Sequence, residues 1–301
     1  MKAIVTGAHG FVGPYLTTHL VSCGDEVVGI DSEVDITDAE AVRTRFADEL
    51  PDVVYHLAAA SHVGDSWSAP AQVVRINSEG SLNVLLAAVA AGVERVVLIG
   101  SAEEYGHVTP EQLPITEDTP LRPVSPYGAS KAAAEMLASY IVRGRDLPVV
   151  CVRPFNHLGP GQSDRLVAST LAQQVARNER SGGDEILAGD LSPKRDFSDV
   201  RDVVRAYRLL AERGGAGEAY NVCSGRAVAI RELADILIGL STRPMKVTLD
   251  AERLRPVDVP VLHGDNSKLV RDTGWKAEIP LEQTLADLLD WWRAHEAAAV
   301  G

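Results

Sequence analysis

Tyr127 and Lys131, in Tyr127-Gly-Ala-Ser-Lys131, have the spacing that puts two side chains on one helical face, one turn apart. A free phenol titrates near ~10 and is a poor base at neutral pH, and a nearby ammonium lowers that value. Such a pair suits chemistry at a carbonyl, where the phenol hands a proton to the oxygen as the carbon accepts a hydride. The same spacing also describes a plain surface tyrosine and lysine. Ser101, in LIGSAEEYG, ends a strand-like run, at the carboxyl edge where open α/β sheets bind ligands and where a hydroxyl can hydrogen-bond the same carbonyl. Glu103 follows two residues later, and its carboxylate either abstracts an acidic proton beside a ketone or orients a hydroxyl.

A second group of residues has the pattern of a dinucleotide site. In TGAHGFVG, residues 6–13, Gly7, Gly10 and Gly13 stand between a strand and a helix, with His9, Phe11 and Val12 among them. Bare glycines let backbone N–H groups approach a pyrophosphate at the positive end of the helix. Asp31 ends the second strand in VVGID, where a carboxylate accepts hydrogen bonds from an adenosine ribose and repels a 2′-phosphate. That favours NAD(H) over NADP(H). Asp35, beside Ile36 in DITD, either faces the adenine or caps the helix that starts near Asp38. Leu57, Ala58 and Ala59 close the third strand in HLAAASHV; they are small enough to admit a cofactor and read equally well as core.

These residues need elements to hold them. KAIVTG, DEVVGID, DVVYHLAA, RVVLIGS and LPVVCVRP read as five strands alternating with helical patterns, which predicts an α/β fold with a doubly wound, Rossmann-like parallel sheet. A helix is predicted over Asn77 to Ala91, stopped by Gly92, and another over Ala129 to Ile141 after Pro126. After Pro154 the texture turns to Gly-, Pro- and Asp-rich loops without a clean linker. The expected division is an NAD(P)-binding domain over 1–160, with later segments returning to it, and a smaller α/β substrate-binding lobe over 161–301. In that lobe helices are predicted near Val200 to Arg213, Ile230 to Leu240, Ser267 to Thr273 and Leu281 to Arg293.

Composition narrows the classes. Hydrophobic residues at 46% and charged ones at 24% match ordinary globular domains, so neither a disordered nor a fibrous chain is expected. No apolar run approaches the ~18 residues of a membrane helix, and MKAIVTGAHG runs directly into a strand and glycine loop, so no signal peptide and a cytoplasmic place are expected. Cys23, Cys151 and Cys223 lack metal or disulfide spacing, and His62, His157 and His263 have no partner at ligand spacing, so no metal is expected. A net charge of -13 argues against a nucleic-acid partner.

TGAHGFVG, HLAAASHV, INSEGSLNVL, SAEEYG, SPYGASK and RPFNHLGPGQ, in that order, resemble extended short-chain dehydrogenase/reductases of the NAD-dependent epimerase/dehydratase family that act on nucleotide sugars. The resemblance spans essentially the whole chain. PYGASK and RPFNHLGPGQ resemble the GDP-6-deoxy-D-mannose reductase branch, whereas the GDP-mannose dehydratase branch typically shows PYAAAK and an FNHESPRRG-like loop. LRPVDVPVLHGDNSKL and TGWKAEIPLE also resemble that reductase branch, though dehydratases share part of them. Glu103 matches a dehydratase glutamate and leaves dehydration open; Ala102 departs from the aspartate of dTDP-glucose dehydratases.

The resemblance implies a 4-ketoreductase that turns GDP-4-dehydro-6-deoxy-D-mannose into GDP-D-rhamnose, consuming NADH or NADPH. The alternative it leaves is a GDP-mannose 4,6-dehydratase, or another nucleotide-sugar epimerase or dehydratase, that retains its NAD(P). It further implies substrate contacts by Asn156 near the phosphates, by Arg195 at the diphosphate or hexose and by Arg255 at the diphosphate, besides Ser101 and Glu103. A guanidinium fork fits phosphate oxygens, and equally a surface salt bridge. It also implies a homodimer paired through the Asn77 and Tyr127 helices. A dinucleotide sensor that has lost the chemistry is a third reading, opposed by the intact Ser101, Tyr127 and Lys131.

Overall fold

The structure, a computed structural model, describes residues 1–253 and 260–298; Arg255, expected at the diphosphate, lies outside the described residues. The elements run β1 (Lys2–Thr6), α1 (Gly13–Ser22), β2 (Glu26–Ile30), α2 (Ala39–Glu49), β3 (Val53–His56), α3 (Val63–Ser66), α4 (Pro70–Val74), α5 (Ser81–Ala91), β4 (Arg95–Ile99), α6 (Pro126–Arg145) and β5 (Val149–Pro154). They continue with β6 (Asn156–Leu158), α7 (Val167–Ser181), β7 (Glu185–Ala188), β8 (Lys194–Asp199), α8 (Val200–Arg213), β9 (Ala219–Val222), β10 (Ala227–Ala229), α9 (Ile230–Gly239), β11 (Lys246–Leu249), β12 (Val261–Leu262), α10 (Ser267–Thr273) and α11 (Leu281–Ala298).

Two compact units result. The first comprises Met1–Phe155, Val203–Val222 and Asp265–Lys276. Its sheet has the order β2-β1-β3-β4-β5-β9 with every pairing parallel, the doubly wound arrangement. Alternate strand residues enter different layers. Ala3, Val5, Tyr55, Val97 and Val152 pack with Leu16 and Leu20 of α1, Tyr207 and Leu210 of α8, and Leu269 of α10. Ile4, Val54, Val96 and Leu98 pack on the other face with Phe46 of α2, Leu85 of α5 and Ala138 of α6. Because both faces are covered, the strands read as unbroken apolar runs, each buried Val, Leu or Ile contributing about 1.5–3 kcal/mol.

The five expected strands are β1 to β5, and a sixth, β9, joins them. AYNV escaped the apolar pattern because it has four residues, one of them Asn221, whose side chain is spent inside the fold: Oδ1 accepts from the Tyr105 hydroxyl at 2.7 Å and Nδ2 donates to Ile115 O at 2.8 Å. The helix expected from Asn77 starts earlier, at Pro70, and passes through a π-helical stretch, Arg75–Gly80, before α5. Gly92 ends it in the left-handed conformation, φ 69°.

The second unit comprises Asn156–Asp202, Cys223–Gly264 and Ala277–Gly301. Leu171 and Val175 of α7, Leu233 and Leu237 of α9, and Leu285, Leu288 and Leu289 of α11 form its core with Ile186 and Phe197. Strand β8 pairs with β10 antiparallel and with β12 and β6 in parallel. Helix α7 was not expected, because its buried stripe is built mainly of small residues: Ala168, Ser169, Ala172 and Ala176 beside Leu171 and Val175. Among the described residues no helix is long and apolar enough to cross a membrane.

Candidate active site

The loop between β1 and α1 is shaped by its glycines. Gly7 has φ +71°, and a Cβ there would lie 2.8 Å from Ala58 N; a Cβ on Gly13 would overlap the Ala8 carbonyl. The first turn of α1 carries no acidic residue. A bare backbone at the positive end of a ten-residue helix, without a carboxylate to repel it, fits a pyrophosphate. Asp31, just past β2, accepts from His9 N at 2.8 Å and Ser32 N at 2.9 Å, so one side chain ties the loop to the strand end where a ribose would lie. Asp35 does not cap α2: its carboxylate accepts from Thr37 N and Oγ1, and the cap of α2 is Asp38. Ile36 is buried in the core against α5, its carbonyl receiving Asn83 Nδ2 at 3.0 Å. Leu57 N and Ala58 N donate to Thr6 O and Thr6 Oγ1, both at 3.2 Å, which sets the 57–59 segment beside the glycine loop. The residues present therefore suit a dinucleotide.

Ser101 follows β4 and caps a short 3-10 turn, Ala102–Glu104. Its Oγ accepts from Glu103 N at 3.1 Å, while its own N–H donates to Glu104 Oε1 at 2.7 Å. This reciprocal cap fixes the serine's rotamer. Tyr127 stands in the first turn of α6, after the Ser125 cap and Pro126, with its phenol near enough to the Ser101 hydroxyl for the serine to act on its titration. Gly128 allows that approach, since a Cβ there would come within 2.5 Å of Glu103 O. One turn on, Lys131 Nζ donates to Ile99 O at 2.7 Å, pinning α6 to the end of β4. All three side chains are buried.

The electrostatics differ from the sequence expectation. The phenol is pushed up, not down: burial dominates, the Ser101 hydroxyl opposes it, and the charges of Glu104 and Glu103 add to it. Burial pushes the Lys131 ammonium down to about 8, with Glu104 pulling it back up. Tyr127 is thus held as a protonated phenol. Glu103 is half-buried, near enough for its charge to act on that phenol.

Sequence reasoning missed a buried polar framework behind these groups. Asn77, in the π-helical stretch, accepts from Ala60 N at 2.8 Å and donates to Ala60 O at 3.1 Å and Ser130 Oγ at 2.9 Å. Ser130 Oγ in turn donates to Tyr127 O at 2.7 Å. His56 links this framework to the glycine loop. Since Ser81 Oγ donates to Asn77 O, it accepts from His56 Nε2–H, leaving Nδ1 to accept from Thr6 Oγ1 at 2.7 Å. Burial and the Lys131 charge push the ring down to about 3, so it is neutral. The cue in the sequence was polar residues inside apolar strand and helix runs.

In the second unit Asn156 is exposed on β6, paired in register with Phe197 on β8, and Arg195 lies two residues earlier on β8, half-buried. Its neighbour Asp196 is buried and accepts from Ser224 N, Ser224 Oγ and Gly225 N at 2.7–2.9 Å.

The chain is 36% identical over 297 residues to GDP-6-deoxy-D-mannose reductase of Pseudomonas aeruginosa, covering 97% of each chain. It is 32% identical to UDP-glucose 4-epimerase of Streptomyces lividans, covering 100% of this chain and 98% of that one. The structure of RMD from Pseudomonas aeruginosa complexed with NADPH superposes with a TM-score of 0.92 at 34% identity, over 98% of this chain and 100% of that one. With residues 3–223 matching the profile of the NAD dependent epimerase/dehydratase family, the chain belongs to that family.

Proposed function

We propose that the chain is a nucleotide-sugar 4-ketoreductase that reduces GDP-4-dehydro-6-deoxy-D-mannose to GDP-D-rhamnose with NAD(P)H. The observation that carries this reading is the buried Tyr127 phenol beside Ser101, at the strand end where open α/β sheets bind ligands. In the reducing direction the protonated phenol donates to the ketone oxygen. The nicotinamide supplies the hydride when bound. Ser101, its oxygen occupied by the Glu103 amide, orients the ketone oxygen; Tyr127 gives that oxygen its proton; Lys131 holds the first turn of α6 in place from Ile99. Full-length similarity to a reductase supports the same direction.

Around that chemistry the reading assigns Gly7, His9, Gly10, Phe11, Val12 and Gly13 to the pyrophosphate, Asp31 to the ribose, and Asn156 and Arg195 to the nucleotide sugar. Asp31 supports NADH, whereas the related RMD is complexed with NADPH. We further propose a cytoplasmic homodimer paired through α5 and α6, whose surfaces expose Leu86, Met136 and Tyr140. The test is to mix the protein with the keto sugar and NADH or NADPH: nicotinamide absorbance should fall one-for-one with product formed. No consumption, together with dehydration of GDP-mannose, would reverse the reading in favour of a dehydratase.

A further inference from the structure

Glu104 has no part in the chemistry described so far, yet it is fully buried beneath it. Its Oε1 accepts the Ser101 N–H, and its Oε2 is buried with no hydrogen-bond partner. The space it fills exists because residue 100 is glycine: a Cβ there would overlap Glu104 Oε1 and come within 3.0 Å of Val152 O. A carboxyl placed in a tailored cavity with one oxygen unsatisfied is costly, so its surroundings must compensate.

Those surroundings are charged. From α6 come Lys131 and Glu135, from β5 Arg153, and from its own turn the Ser101 amide; all four act on Glu104. The Tyr127 phenol and the Cys151 thiol feel its charge in turn. Arg153 is already committed. Its Nε donates to Glu135 Oε2 at 3.0 Å, its Nη2 to Glu135 Oε1, and its Nη1 to the Tyr105 hydroxyl at 2.9 Å and Glu117 O at 3.0 Å. Arg153 and, after it, Lys131 are the cations that act on Glu104, and the hydrogen bond it makes is to the Ser101 amide.

We propose that Glu104 is a positioning residue for the Ser101, Tyr127 and Lys131 constellation, fastening the serine's main chain through Oε1. The inference rests on the reading of that constellation as the reacting site. Burial, and after it the Glu135 charge, push the Glu104 carboxyl up; the Ser101 amide, Arg153 and Lys131 pull it down.

Two substitutions test the role. Glu104→Gln keeps an acceptor for the Ser101 amide, so its kcat should stay within about threefold of the wild-type value. Glu104→Leu removes that acceptor, and kcat should fall about 10- to 100-fold with the KM for the dinucleotide changed less than about threefold. Wild-type kcat in Glu104→Leu, or an equal loss of kcat in Glu104→Gln and Glu104→Leu, measured on folded protein, overturns the fastening. Tyr127→Phe is run alongside: if it retains turnover, the reading of the reacting site itself is lost, whereas an inactive Tyr127→Phe with wild-type Glu104 variants sinks only this inference.

Discussion

Ser101 and Tyr127 meet because a capped 3-10 turn and a capped helix end face each other, and their order in the chain announced both ends. Replacing Tyr127 by Phe should lower kcat/KM about 10²- to 10⁴-fold while the dinucleotide dissociation constant, followed by fluorescence titration, stays put; an equal loss of cofactor affinity would count against proton transfer as its role. Asp31→Ala frees the His9 and Ser32 amides, so affinity for both cofactors should drop, but the NADP(H) to NAD(H) affinity ratio should rise. An unchanged ratio in parallel titrations would defeat the ribose assignment. Residue identity alone was a poor guide to protonation: the Tyr-Lys spacing suggested an acidified phenol, and burial reverses it. Nor could the pair Glu103-Glu104 say which carboxyl turns inward, since the short turn after β4 decides that and leaves no periodic trace.

Elements were legible where they are long and apolar, and obscure where polar side chains do the joining. Strands β1 to β5 and the helix at Tyr127 fall where hydrophobic runs placed them; the π-helical stretch at Asn77 has no local signature, because its cause is the distant Ala60 and Ser130. Asn77→Ala strips partners from both and should cost about 1–3 kcal/mol in chemical denaturation, with a loss of kcat as the Tyr127 turn loosens; unaltered stability would show the framework to be idle. Helices α7 and α11 are joined by Arg293, which donates to Glu179 at 2.8 and 2.7 Å. That bond, against a smaller opposing effect of burial, holds the Glu179 carboxyl down to about 2, from an ordinary 4.5. A depressed carboxyl stabilises the fold above the unfolded value and ceases to as pH falls through the folded one. Glu179→Gln should accordingly lower Tm by about 2 °C at neutral pH, a difference that shrinks below pH 4.5 and vanishes near pH 2 in scanning calorimetry.

For the molecule as a whole, strands buried on both faces announced the sheet class from composition and alternation alone, while the scattered pieces of each compact unit could not be sorted without coordinates, because no linker separates them. The homodimer should sediment at twice 32.2 kDa, and Met136→Glu, at a side chain 73% exposed on α6, should halve that mass; a wild-type monomer would remove the pairing from the proposal. The first unit draws on three separate stretches, so it cannot close as it is synthesised. Once residue 155 has been made, β5 is still an open edge, and Val5, Val97 and Val152 await Tyr207, Leu210 and Leu269. A nascent chain halted there would offer a bare strand border and an uncovered apolar face to its neighbours. Expression of residues 1–155 as a stand-alone nucleotide-binding fragment should consequently yield aggregates, and any split of this protein into complementing halves must keep β9 with its sheet.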